Sequence, residues 1–133
     1  MVKAIVIRET GGPDVMSLED VEVGAPGPGE VRLKHTAIGV NFIDTYYRKG
    51  LYPAPGGLPF IPGAEAVGIV EKAGEGVVQF RPGDRVAYAG SVGAYSEARI
   101  ISAQKLVRVP DDIDGFTVAA SLLKGMTVQY LLR

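Results

Sequence analysis

Residues 31–38, Val-Arg-Leu-Lys-His-Thr-Ala-Ile, give the cleanest two-residue alternation in the chain. Val31, Leu33, His35 and Ala37 share one face and Arg32, Lys34 and Thr36 the other, the pattern of a strand buried on one side. This strand runs into residues 37–52, Ala-Ile-Gly-Val-Asn-Phe-Ile-Asp-Thr-Tyr-Tyr-Arg-Lys-Gly-Leu-Tyr, which read as a short helix over about 41–49 and its exit. Asn41 is placed as N-cap, its side chain accepting a first-turn N–H. Asp44, three positions on, answers the helix dipole and reaches back to the cap. Ile43, Tyr46 and Tyr47 make one face. Arg48 and Lys49 sit where positive charge is favoured, and Gly50 closes the helix in the left-handed region. One amide, one carboxylate and the phenols of Tyr46 and Tyr52 thus gather near the helix start and exit, a polar lining for a pocket.

On either side the chain reads as short strands and tight turns. Strands are expected over 2–8, near 15–23, over 63–72, 85–88, 94–101 and 105–109, separated by glycine- and proline-bearing turns such as 24–29 and 53–62. Val67, Ile69 and Glu71 alternate with Ala66, Gly68 and Val70, and small residues inside a strand point to a closely approaching backbone. About seven strands at this spacing indicate a mainly β fold, an antiparallel barrel or sandwich. After Pro110 the period changes to helical, with Asp112 or Asp114 as cap. Gly125 is expected to interrupt the helix, and Thr127 to begin another turn.

Composition narrows the function classes. The chain has 133 residues, 47% of them hydrophobic and 22% charged, which suits a single packed domain. Its net charge of −1 gives no reason to expect nucleic acid or an anionic membrane as partner. The absence of cysteine removes disulfides, thiolate metal sites and a cysteine nucleophile. No apolar run reaches the roughly 20 residues of a membrane span, and the N-terminus lacks a signal-peptide plan; a soluble cytoplasmic protein is expected. His35, the only histidine, reads as a hydrogen-bonded packing residue on the strand's apolar face, since metal ligation needs partners that are not evident.

Gly-Ala-Glu-Ala-Val-Gly-Ile-Val at 63–70, Gly-Glu-Gly-Val at 74–77 and Pro-Gly-Asp-Arg-Val at 82–86 resemble the N-terminal, GroES-like catalytic domain of the medium-chain dehydrogenase/reductase superfamily. Asn-Phe-Ile-Asp-Thr-Tyr at 41–46, Gly-Leu-Tyr-Pro at 50–53 and Leu-Lys-Gly-Met-Thr-Val at 123–128 are most similar to its NADPH:quinone oxidoreductases related to zeta-crystallin. The resemblance covers nearly the whole chain. It implies a partly open antiparallel barrel with a short helix at about 41–49 and helices near the C-terminus. It implies NADPH as cofactor and a quinone or other electron-poor acceptor as substrate. Asn41, Tyr46 and Tyr52 are the implied catalytic residues. Asn41, Phe42, Ile43, Asp44, Tyr46, Lys124, Thr127 and Tyr130 are implied to meet the cofactor.

From the residues alone, Tyr46 and Tyr52 read rather as surface-to-core tyrosines with wet hydroxyls, a reading the resemblance reverses, and Lys124, Thr127 and Tyr130 equally fit an ordinary helix start. The zinc-dependent members of the superfamily carry a cysteine where Asn41 stands and a histidine where Ala64 stands, so a catalytic zinc is not expected. Glu65 then reads as a structural anchor for a loop.

No strand, glycine-rich turn and helix follow one another as a dinucleotide fingerprint requires, and the final helix runs out on Leu-Leu-Arg. In the family it resembles, a cofactor-binding domain follows, so the resemblance implies that the chain is the catalytic portion of a larger enzyme, a homodimer. By itself it is expected to be inactive, to bind NADPH weakly, and to self-associate through uncovered apolar faces or fray after about residue 120. Two other readings stay open: a zinc-free enoyl or alkenal reductase of the same superfamily, and a non-enzymatic GroES-like binding or structural module.

Overall fold

The computed structural model describes residues 1–132. Its strands are β1 (Val2–Ile7), β2 (Met16–Val21), β3 (Glu30–Gly39), β4 (Glu65–Ala73), β5 (Arg85–Ala89), β6 (Ala98–Ser102) and β7 (Val107–Arg108). Its α-helices are α1 (Phe42–Lys49) and α2 (Gly115–Leu131). β1 and β2 form an antiparallel ribbon, and the other strands a second antiparallel sheet in the order β6-β3-β4-β5-β7. The sheets do not close into one barrel, and the ribbon is joined to the rest by isolated bridges at Ala4–Ser96 and Ile7–Phe60. The mainly β, partly open architecture read from the sequence is the one found.

The alternation in β3 works as its residues dictate: Val31 and Leu33 are fully buried, while Lys34 and Thr36 are exposed. They join Ala66, Val70, Val86, Tyr88 and Ile101 in the main core. Each fully buried Val or Leu contributes about 1.5–3 kcal/mol. A register shift between His35 and Ala37 turns the later residues of β3 over, so Ala37 joins Val67, Ala87, Val109 and Ala119 in a second cluster beneath α2. β4 is central and buried on both faces. Gly68 lies so close to the Lys34 carbonyl that a Cβ would overlap it, the close approach its small residues signalled.

Several boundaries differ from the sequence expectation. β4 starts at Glu65 because Gly63, at φ +97°, turns the chain beneath the Tyr95 ring. β6 starts only at Ala98, since residues 95–97 bridge β1 and β3: Ile5 N–H donates to the Tyr95 carbonyl and His35 N–H to the Glu97 carbonyl. Gly125 does not interrupt the last helix. α2 is one 17-residue element from Gly115 to Leu131, because a single glycine costs only about 1 kcal/mol in a helix. Its cap is Asp114, which accepts from Thr117 N–H at 3.0 Å. Thr127 begins no turn; its hydroxyl donates to the Leu123 carbonyl at 3.0 Å.

Candidate functional site

Three elements meet at the end of β3. Gly39 lies where α2 crosses β4, and a Cβ there would overlap both the Ala119 carbonyl and the Glu65 side chain. The missing side chain lets Glu65, on the first position of β4, reach across with no exposure of its own. Glu65 Oε1 accepts the Leu123 N–H of α2 at 3.0 Å, and its Oε2 accepts Asn41 Nδ2 at 2.6 Å. The other end of the amide, Asn41 Oδ1, accepts from the exposed Lys124 Nζ at 3.2 Å. A buried carboxylate, an amide and a surface ammonium therefore form one line from core to solvent. Glu65 anchors a helix and a helix cap, not the loop expected from the sequence.

Asn41 is the N-cap of α1 and forms a capping box with Asp44, as expected from the sequence. The Asp44 N–H goes to the Asn41 carbonyl at 3.1 Å, and the reciprocal bond runs from Asn41 N–H to Asp44 Oδ2 at 3.0 Å. Gly50 closes the helix at φ +79° as expected. Asp44 is the one buried residue of α1, not part of an exposed lining. Its Oδ2 also accepts the Tyr95 hydroxyl at 2.6 Å, while Oδ1 has no partner. Burial, reinforced by the Asp44 hydrogen bond and charge, pushes the Tyr95 phenol well above its ordinary range. Tyr95 thus remains a donor that holds α1 to the segment under Gly63.

Tyr46 and Tyr52 come together. Their ring centroids are 5.5 Å apart in an edge-on arrangement, and Tyr47 meets Tyr52 in the same way at 6.0 Å. The Tyr46 carbonyl accepts both Leu51 N–H and Tyr52 N–H, which folds the exit of α1 back over its last turn. Tyr46 and Tyr52 are 37% and 46% exposed, so both rings stand at an open surface. Phe42, at 83% exposure, projects beside the cap, and Ile43 is half-buried. Of the α2 candidates only Lys124 is brought to Asn41. Thr127 has turned its hydroxyl back onto the helix, and Tyr130 stands exposed further along it. A groove of about 480 Å³ between β1 and β3, lined partly by Ile38, Val40 and Tyr95, begins next to this site without including Asn41, Tyr46 or Tyr52.

His35 belongs to a separate network that closes on itself. Its Nδ1 lies 2.7 Å from the Ser96 carbonyl, which can only accept, so Nδ1 carries the proton and Nε2 accepts the Tyr88 hydroxyl at 3.0 Å. Tyr88 in turn accepts from Arg99 at 3.2 Å. Burial holds the His35 pKa below its ordinary value, with the Arg99 charge acting in the same direction against the Ser96 bond. The packing role read from the sequence is the one observed.

The sequence motifs and the sheet order have a known counterpart. The alcohol dehydrogenase GroES-like domain model matches residues 27–111. The chain belongs to that family. A quinone oxidoreductase of Pseudomonas aeruginosa is 54% identical, the alignment taking in 100% of this chain and 41% of that protein. A 2-haloacrylate reductase of Burkholderia sp is 51% identical over 99% of this chain and 41% of its own length. The crystal structure of Escherichia coli quinone oxidoreductase complexed with NADPH superposes with a TM-score of 0.95 at 46% identity, covering 98% of this chain and 40% of that one. This GroES-like domain therefore spans about 41% of the length of the relatives it matches. Among its described residues, no helix is long and apolar enough to cross a membrane.

Glu65, Tyr95 and the mid-helix Leu123 N–H complete the site in ways the sequence reading missed. Their partners lie 24, 51 and 58 residues away. The one sequence signal was Glu65 itself, a carboxylate in a run of small apolar residues with nothing local to pair with.

Proposed function

We propose that this GroES-like domain is the acceptor-side, catalytic part of an NADPH-dependent quinone reductase that works without a metal. The observation that carries the reading is the half-exposed Tyr46–Tyr52 pair, one ring on the helix that Asn41 caps and the other on its exit. Two phenols at one surface offer flat faces to a flat acceptor and hydroxyl donors to its oxygens. The similarity to quinone oxidoreductases along the whole chain supports the same acceptor class.

The residues present fit one end of NADPH and not the other. Asn41 Oδ1, Lys124 and the exposed Phe42 and Tyr46 suit the nicotinamide end, which needs an apolar face and a few hydrogen bonds. The starts of the two α-helices do not suit phosphates: each already carries a carboxylate, Asp44 and Asp114, accepting a backbone N–H there, and a second negative group would be repelled. The phosphates would therefore be held by residues of the whole protein outside these 133, as a separate dinucleotide-binding domain. NADPH, when bound, supplies a hydride. In this reading Tyr46 and Tyr52 bind and orient the acceptor and place donors where its oxygen gains charge. Asn41 fixes the cofactor's approach to α1.

The metal-free reading rests on the donor set. Glu65 uses both oxygens on Asn41 and Leu123, Ala64 offers no ligand atom, and cysteine is absent from the chain. We place the enzyme in the cytoplasm as a homodimer.

A second reading, reduction of a carbon–carbon double bond activated by a neighbouring carboxylate, is favoured by the 2-haloacrylate reductase relative and by the exposed Lys124 ammonium, which suits an anionic acceptor. Steady-state NADPH oxidation by the whole protein, with p-benzoquinone and with a haloacrylate as competing acceptors, separates the two. A higher kcat/KM for the quinone supports the first, and the reverse order the second.

A further inference from the structure

We propose that Glu65 is a positioning residue that sets the polarity of the Asn41 amide, so that the site presents an acceptor oxygen rather than an amino group to its ligand. An asparagine side chain can face a ligand with either end, and its neighbours decide which. Both neighbours of Asn41 choose the same orientation. On the buried side the Glu65 carboxylate can only accept: the Leu123 N–H holds Oε1, and Oε2 meets Nδ2 at 2.6 Å. On the solvent side the Lys124 ammonium can only donate, and it meets Oδ1. Turning the amide over would set carbonyl against carboxyl oxygen inside and amino group against ammonium outside. The carboxyl group is held in turn, because it is fully buried and tied to α2 through Leu123 N–H, where Gly39 leaves it room.

The outward face is therefore an acceptor with a cation beside it. A ligand group that fits must donate a hydrogen bond to Asn41 Oδ1, and it gains further if it also offers an acceptor to the remaining Lys124 protons. This rests on the functional reading only for the identity of the ligand, NADPH. The polarity itself stands on the contacts within the chain.

The test is a polarity exchange in the whole protein. Glu65→Gln keeps shape and can still accept from Leu123, but it turns an amide N–H towards position 41. Asn41 must then invert and face Lys124 with its own amino group. NADPH affinity should fall by roughly tenfold, the upper scale of one neutral hydrogen bond. Asn41→Asp alone sets two carboxyl groups face to face and should be weaker still. The double variant Glu65→Gln/Asn41→Asp restores a donor inside and an acceptor outside, and its affinity should return to within about threefold of the parent, a strongly non-additive cycle. A purely structural role for Glu65 predicts losses that add. Additive losses, or an unchanged affinity in Glu65→Gln, would overturn the proposal.

A second readout needs no ligand. Asparagine-selective labelling of the whole protein, with the Asn41 signal assigned by its loss in Asn41→Asp, reads this side-chain amide by NMR. One amide proton should be protected from solvent exchange in the parent chain and lose that protection in Glu65→Gln. Equal, fast exchange of both protons in the parent chain would contradict the assigned orientation. Should the parent whole protein fail to bind NADPH, the functional reading falls, while the exchange measurement still decides the polarity.

Discussion

Two titratable groups on neighbouring strands, His35 half-buried and Glu65 fully buried, are used in opposite ways. His35 on β3 spends both ring nitrogens inward, on the Ser96 carbonyl and the Tyr88 hydroxyl, and Arg99 seals the network from behind. Glu65 on β4 is at least as deeply buried, yet its line of contacts leads outward through Asn41 to an ammonium in solvent. The closed network can only hold the fold. The open one connects the core to the surface at the start of α1, the helix that carries Tyr46. Burial alone thus does not mark a site; the end point of the hydrogen-bond chain does.

The comparison breaks most visibly at Glu65. Glu65→Ala strands the Asn41 Nδ2 and Leu123 N–H donors and leaves a void, so we expect a loss of about 3 kcal/mol in urea denaturation. Detachment of α2 should accompany it, read as faster amide exchange around Leu123.

In the closed network, Tyr88→Phe keeps the ring and removes the hydroxyl between His35 and Arg99. Stability should fall by about 1–3 kcal/mol, the cost of an unpaired buried group. Quinone kcat/KM in the whole protein should be unchanged at a temperature where the variant is folded. A selective loss of turnover would place the His35 network in the site and erase the distinction.

Tyr52→Phe tests the open side from its outer edge. It keeps the edge contact with Tyr46 and removes a donor, so quinone kcat/KM should fall by about tenfold with NADPH affinity and stability unaltered. Equal effects on cofactor and acceptor would return Tyr52 to a surface packing role.

The smallest effect is the pH dependence of the closed network. Burial depresses the folded-state pKa of His35, so as pH falls the unfolded chain takes up its proton first, near about 6.5. Stability should therefore decline with acid from there down to the folded-state pKa, with a slope of at most about 1.4 kcal/mol per pH unit. Denaturation midpoints across that window give the slope, and a rise in stability on acidification would contradict a ring kept neutral by burial.

Local chemistry made much of the architecture legible. The alternation of β3, the cap positions Asn41 and Gly50, and the small residues of β4 are rules of neighbouring residues, and they hold in the structure. One local reading failed where tertiary contacts outweighed propensity: Gly125 is carried inside α2. The Asn41 side chain serves the capping box and, through Nδ2, a buried carboxylate as well. The site was half legible. Tyr46 and Tyr52 are close in sequence and their meeting follows from the helix exit. Glu65 and Tyr95 reach their partners across the fold: Glu65 stood out as a carboxylate among small apolar residues, but nothing nearby in the chain named its partners, and nothing announced Tyr95. The apolar positions Val128, Leu131 and Leu132, at 55–82% exposure, were legible as an uncovered face.

The most direct measurement is quinone-dependent NADPH oxidation by the whole protein before and after dialysis against a strong chelator, with metal content determined on the same samples. The account predicts an unchanged rate and far less than one equivalent of zinc. A rate that disappears with the metal and returns on adding zinc, or NADPH oxidation indifferent to the quinone, would contradict it.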